Sequence, residues 1–228
     1  MMPARTLLAA SLLLALAGCG REAPPAARLE ALAMTAAQSQ SAEAERQLRH
    51  WAARGAPVAQ RELGLLYASR AAKVEEARIW LTKAALQNDA QAACALGDLA
   101  RATSTMAGAW TWYEQAALLG HARAALMLGL MARNGEGTER DPTRAQYWLT
   151  RGAERGNAHA MFALSNMLRD GEAGPADAAR AHEWLEQAAE HEYPAALQEL
   201  AMQSSDALQS SHLLKEANEH RQSNWNRF

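Results

Sequence analysis

The stretch "ARAALMLGLMARNGEGTERDPTRAQYWLTRGAERGNA", Ala122 to Ala158, decides the fold of this chain. It sets one Trp, Trp148, among small residues, and near copies of it lie on both sides. Trp80, Trp112, Trp148 and Trp184 are separated by 32, 36 and 36 residues, and a Leu follows each of them 16 residues later: Leu96, Leu128, Leu164 and Leu200. Counting from those leucines and from Leu63, a small residue stands four positions back every time: Ala59, Ala92, Ala124, Ala160 and Ala196. Three residues before each Trp stands Ala77, Ala109, Ala145 or Ala181, and five after it Ala85, Ala117, Ala153 or Ala189. Matches at this many fixed offsets establish an internal repeat.

The period implies paired helices. Around each Trp the small residues fall at −3, +4 and +5 with a large apolar residue at +1 (Leu81, Tyr113, Leu149, Leu185), which is the one-face spacing of a helix. Around each Leu the positions −4, 0 and +3, for example Ala124, Leu128 and Met131, form a second amphipathic helix. "RNGEGTERDP" and "RDGEAGPAD" supply Gly to end one helix, and Asp141 followed by Pro142 is a strong start for the next. A single helix hairpin cannot bury its own face, so successive units must stack.

The same stretch resembles the Sel-one-like repeat, a relative of the tetratricopeptide repeat. The residues that carry the resemblance are Leu128, Gly129, Gly135, Gly137, Asp141, Ala145, Trp148, Ala153 and Gly156, and the glycine after the Leu recurs as Gly64 and Gly97. The resemblance runs from Leu48 to Leu200 and is loosest in "YASRAAKVEEA" and "RATSTMAGA", which are shorter and lack the turn glycines. It implies an all-α fold, a right-handed superhelical solenoid of antiparallel helix pairs, with Trp80, Trp112, Trp148 and Trp184 as structural repeat residues. The solenoid is expected over residues 28–222, with a degenerate first hairpin (Leu29 to Arg54) and a closing helix (Leu208 to Arg221). Residues 223–228 form a tail, whose Trp225 and Phe228 are expected to fold back on the last hairpin.

The first residues read as an address. "MMPARTLLAASLLLALAGCG" has one cation, Arg5, an apolar run from Leu7 to Ala17, and small residues before Cys19. Such a run is too short to span a bilayer, which takes about 20 residues, so residues 1–18 read as a signal peptide. Leu16-Ala17-Gly18-Cys19 resembles the lipobox of bacterial lipoproteins, which implies acylation of Cys19 after cleavage. Several acyl chains hold a protein on a membrane where one does not. Residues 19–27 form the tether, and "GREAPPAA" reaches at most about 26 Å. Gly20 after the Cys resembles lipoproteins of the outer membrane, so the expected location is the periplasm, lipid-anchored there.

Composition removes other classes. A formal charge of −2 leaves no basic footprint for nucleic acid. His182-Glu183 does not complete a zinc motif, since the second His position is Glu186. His121, His159 and His191 stand at different repeat offsets and converge on no site. There is no GxSxG nucleophile elbow, and "NGEGTERD" lacks the strand and the Lys of a phosphate cradle. Cys94 has no partner thiol once Cys19 is acylated and reads as a small buried residue. Secreted repeat proteins linked to β-lactam chemistry carry a Cys pair per repeat, which is absent here. No enzyme activity, cofactor or metal is expected, a cell-wall or β-lactam-related enzyme being the remote alternative.

What remains is a surface. In the repeat class the first helices line the concave side, and the residues two before each Leu differ between units: Arg61, Cys94, Leu126, Phe162 and Gln198. With Met127, Leu130, Met161 and Asn166 nearby, these are the candidate partner-binding positions. The expected function is that of a monomeric, membrane-anchored protein-binding scaffold or adaptor. An immunity protein that neutralises a secreted toxin, such as a phospholipase, is the narrower alternative.

Overall fold

The computed structural model describes residues 22–103 and 105–225. Cys19, the signal segment and Phe228 lie outside the described residues. Those described form the helices α1 (Ala26–Gln38), α2 (Ala42–Ala53), α3 (Pro57–Ala68), α4 (Val74–Ala85), α5 (Ala90–Ala102), α6 (Met106–Leu118), α7 (Ala122–Asn134), α8 (Pro142–Ala153), α9 (Ala158–Asp170), α10 (Ala178–Glu190), α11 (Pro194–Gln203) and α12 (Ala207–Trp225). A turn of 3-10 helix, Ala71–Lys73, precedes α4, and no strand occurs among the described residues.

Local chemistry sets the ends. Asp141 accepts a hydrogen bond from the Arg144 amide at 2.9 Å, and Pro142 takes the first helical position of α8. Asp89, Asn157 and Asp177 cap α5, α9 and α10 in the same way. Gly135 and Gly171 end α7 and α9 with φ of 76° and 67°, a left-handed conformation that costs an L side chain energy.

Helices pack in sequential pairs, α1 with α2 through α11 with α12, and each pair packs on the next. First helices also touch first helices, α1 on α3, α3 on α5 and α7 on α9. They therefore line the inner side of the stack. The second helix of the first pair, α2, keeps the repeat register with Ala44 and Leu48 buried, and Trp51 stands where later units have a small residue. The closing helix α12 runs to Trp225, beyond the boundary at 222 drawn from the sequence.

The tightest joint is between the two helices of one pair, and Trp is not its centre. Leu81, Tyr113, Leu149 and Leu185, each one residue after a repeat Trp, are 0 to 2% exposed. A Cβ placed on Gly64 would lie 2.6 Å from Leu81 Cγ, one on Gly97 2.5 Å from the Tyr113 ring, and one on Gly129 2.6 Å from Leu149 Cγ. These glycines face the +1 residue and admit it. In the fifth pair, α9 with α10, Ser165 takes the glycine position and donates a 2.6 Å hydrogen bond to the Ala181 carbonyl. Of the four repeat tryptophans only Trp148 is fully buried; Trp80, Trp112 and Trp184 are half-buried. Small residues around Trp148 let backbones approach: a Cβ on Gly152 would meet Ala160 Cβ at 3.0 Å and the Leu126 amide at 3.3 Å.

Replacing Gly129 with Ala adds helix propensity of about 1 kcal/mol, yet the overpacking against Leu149 costs about 1–3 kcal/mol. The expected result is a lower urea midpoint for Gly129→Ala. In a Leu149→Ala background, itself about 2–5 kcal/mol less stable, the same change should be neutral or stabilising. Equal losses in both backgrounds would show that Gly129 does not act through Leu149.

Candidate protein-binding face

Helical geometry sorts the inner residues from those between units. On α7, Gly129 faces α8, so Arg123, Met127 and Leu130, about 100° to 160° round the helix at 3.6 residues per turn, point away from α8 to the inner side. Leu126 lies only about 60° from Gly129 by the same count and points between units. It is 5% exposed and packs in the main core. The position two before the repeat Leu is thus a joint between units and not an inner-face position.

The other residues at that position behave accordingly. Cys94 is buried. Arg61 is held in an ion cluster, 2.7 Å from Glu30 on α1, 2.8 Å from Glu62 and 3.2 Å from Asp89 at the start of α5. Phe162 is half-buried, its ring 5.3 Å from that of Tyr193, on which His159 also stacks at 5.4 Å. Gln198 is half-buried on α11. Met161 is 4% exposed and belongs to the core. Of the predicted partner-binding residues, Met127, Leu130 and Asn166 are therefore inward and accessible, Leu126 and Met161 are core, and Arg61 is committed to internal ion pairs.

Sequence reading passed over the rest of the face. Leu65, Asp98, Leu130 and Asn166 all stand two after the repeat Leu, and all are half-buried. Asp98 accepts a 2.6 Å hydrogen bond from the Tyr113 hydroxyl and is clamped by Arg123 at 2.9 and 3.0 Å. Burial, reinforced by the bond to Asp98, pushes the Tyr113 phenol well above its ordinary range. Arginines recur five after the Leu, as Arg101, Arg133 and Arg169; the last two pair with Glu172 and Glu199 of the next unit. Arg101 lies 3.9 Å from Met127 Sδ, with its Nε buried and lacking a hydrogen-bond partner, as does Asn166 Oδ1. Counting by the same period that found the Trp would have found the arginines.

Cys94 is not an activated thiol. Burial, then Asp98, pushes the Cys94 thiol up to about 11, so little thiolate forms near neutral pH. Among the described residues no group of three or more His, Cys, Asp or Glu side chains could hold a metal ion. Nor is any described helix long and apolar enough to cross a membrane.

The family model of the Sel1 repeat matches residues 57–89, 108–121, 122–157 and 158–193. The chain belongs to the Sel1 repeat family. Its unmatched gap, 90–107, covers α5 and the short connection without turn glycines. A Sel1 repeat protein from Oxalobacter formigenes is similar over 84% of each chain, with 28% identity and a TM-score of 0.71. A protective antigen of uropathogenic Escherichia coli strains, c5321, which displays an SLR fold, is 22% identical over 86% of this chain and 54% of its own, with a TM-score of 0.47. A putative sel1 repeat protein from Klebsiella pneumoniae subsp. pneumoniae is 21% identical over 76% of this chain and 91% of its own, with a TM-score of 0.49. No match was found among curated proteins. Sel1 repeats generally act as non-catalytic interaction scaffolds that bind protein partners.

One joint carries a titratable cap. His121 caps α7, its Nδ1 accepting from the Ala124 amide at 3.2 Å, where α5 and α9 use Asp89 and Asn157. Burial, then Arg123, lowers the His121 pKa from 6.5, and burial lowers that of His159. A depressed imidazole stabilises the fold above the unfolded value of 6.5, and that stability is lost as pH falls through the folded value. His121→Asn replaces the Nδ1 acceptor with an amide oxygen that can cap in the same way and does not titrate. Chemical unfolding between pH 7 and about 5 should show a shallower loss of stability in this variant. An unchanged slope would mean that the cap does not titrate.

Proposed function

We propose that this Sel1 repeat chain is a periplasmic lipoprotein, held on the outer membrane by an acylated Cys19, that binds a protein partner on the inner face of its solenoid. The observation that carries the reading is the inner strip of Leu65 on α3, Met127 and Leu130 on α7 and Asn166 on α9, with the Asp98–Arg123 pair between the first two. Half-buried apolar side chains on a preorganised surface lose little conformational entropy on binding, and Met adapts to irregular partners. The lipobox resemblance supports the anchor. An immunity role is the same binding by shape with a secreted toxin as occupant.

Affinity capture of the full chain from its own cells, followed by mass spectrometry, identifies the occupant. Met127→Glu with Leu130→Glu should remove it while far-UV circular dichroism stays unchanged. Retention of the same partner would place binding elsewhere. Cys19→Ala should move the protein from the membrane to the soluble fraction, and a protein that stays with the membrane overturns the anchor.

A further inference from the structure

Every turn that leads from a second helix to the next first helix lies on one edge of the solenoid, and polar contacts run along it. Glu30, Arg61 and Asp89 join the first turns of α1 and α3 to the cap of α5. Gln87 donates to Gln60 at 2.8 Å, and Gln115 to the Ala85 carbonyl at 2.9 Å. Further on, a Cβ on Gly120 would lie 3.6 Å from Arg155, and one on Gly156 3.9 Å from His191.

Chemistry changes along this edge. Six residues after each repeat Trp, where the second helix ends, stand Leu86, Leu118, Glu154 and Glu190. Leu86 is 74% exposed, Leu118 63% and the adjacent Leu119 41%. At this position the edge is thus apolar in α4 and α6 and carries a carboxylate in α8 and α10, where Arg155 and His191 also stand. Exposed cations flank the apolar part: Arg54 lies 5.6 Å from the Trp51 ring, and Lys83 4.1 Å from the Trp80 ring. Amphipathic rings and cations beside exposed leucines suit the headgroup layer of an anionic bilayer.

The chain enters at the same edge. Glu30 fixes the first turns of α1 beside those of α3, and Cys19 is seven residues before Ala26, a reach of about 25 Å at most. A 13-residue helix is about 20 Å long, so passing round to the opposite edge would use nearly all of that reach. Neighbouring helices lie about 8–10 Å apart, which leaves the apolar end of this edge within range of the tether.

We infer that this edge lies on the lipid surface, with Leu86, Leu118 and Leu119 in the headgroup layer and the Glu154 and Glu190 end further from it. The inference rests on the acylated Cys19 of the proposed function. Three leucines are few for binding from solution. A tether raises their effective concentration at the bilayer, so that they need only select which side faces down. The inner binding face, which runs along the first helices and not across their ends, then stays open to the periplasm.

The test uses the acylated full chain in phosphatidylethanolamine–phosphatidylglycerol vesicles that contain doxyl-labelled lipid. An environment-sensitive fluorophore is attached at Leu119→Cys, or at Glu139→Cys on the opposite edge; Cys94 is buried and does not compete. The expected result is severalfold stronger quenching at 119 than at 139, lost when Leu86→Glu and Leu118→Glu are added. Equal quenching at the two positions overturns the inference, as does quenching that survives the two substitutions. A label at 119 shielded from water but not quenched by lipid shows that protein covers the edge, and also overturns it. Palmitate incorporation and vesicle flotation are read on the same sample. Floated, acylated chain with an unquenched label at 119 overturns the edge and leaves the anchor standing. Chain that neither incorporates palmitate nor floats overturns both.

Discussion

Close approach between the two helices of a pair is the constraint on which the rest of this structure depends. Gly64, Gly97 and Gly129 leave room on one helix for Leu81, Tyr113 and Leu149 on the other, with less than a methyl group to spare. Once that contact is fixed, the crossing of the pair is fixed, and so is the direction in which every other side chain points. The alanines four before each repeat Leu, all fully buried, extend the same dense seam. Ser165 shows what the position tolerates: a hydroxyl fits where it can bond to the facing backbone.

Joints between pairs use a different chemistry, and it varies from one joint to the next. The N-terminal joint is ionic, with Arg61 bridging Glu30 and Asp89; the next has Arg123 on Asp98; the later ones have Arg133 on Glu172 and Arg169 on Glu199. Between these rungs lie Leu126 and the stack of His159 and Phe162 on Tyr193. Partly exposed ion pairs contribute little stability each. Their geometric role is to register one unit on its neighbour, which keeps the inner face continuous over several units.

The repeat period made the fold legible before any coordinates, because the spacing of Trp148, Leu164 and Ala160 follows directly from helix geometry. Ends were legible too, since Asp141, Pro142 and Gly135 act locally. The division of labour within a unit was not. Trp is the most conspicuous residue of the pattern, but Leu149 beside it fills the joint, and only the facing glycine reveals this. The inner face was misread by one step round the helix. Variability at the position of Arg61, Leu126 and Phe162 looked like a binding signature, whereas it reflects joints solved by ions, aliphatic packing and ring stacking in turn. Met127, one position on, and Leu130 and Asn166, four positions on, are the ones that point inward. Since one residue turns the helix by about 100° and four by only about 40°, side-chain type alone could not separate the two sets.

The hydrophobic core is not one body. A smaller cluster, from Leu29 to Ala77, is built on α1, α2, α3 and the first turn of α4, and a larger one runs from Leu81 to Ala196; Leu99 packs against both. In a stack where each unit touches only its neighbours, such a seam is where cooperativity weakens. The two clusters divide inside α4, between Ala77 and Leu81, and that division is crossed by the helix itself, by the Gly64–Leu81 contact, by Leu65 and Leu99 and by the Arg61 ion cluster, so a disturbance of the smaller core reaches the larger one through α3 and α4.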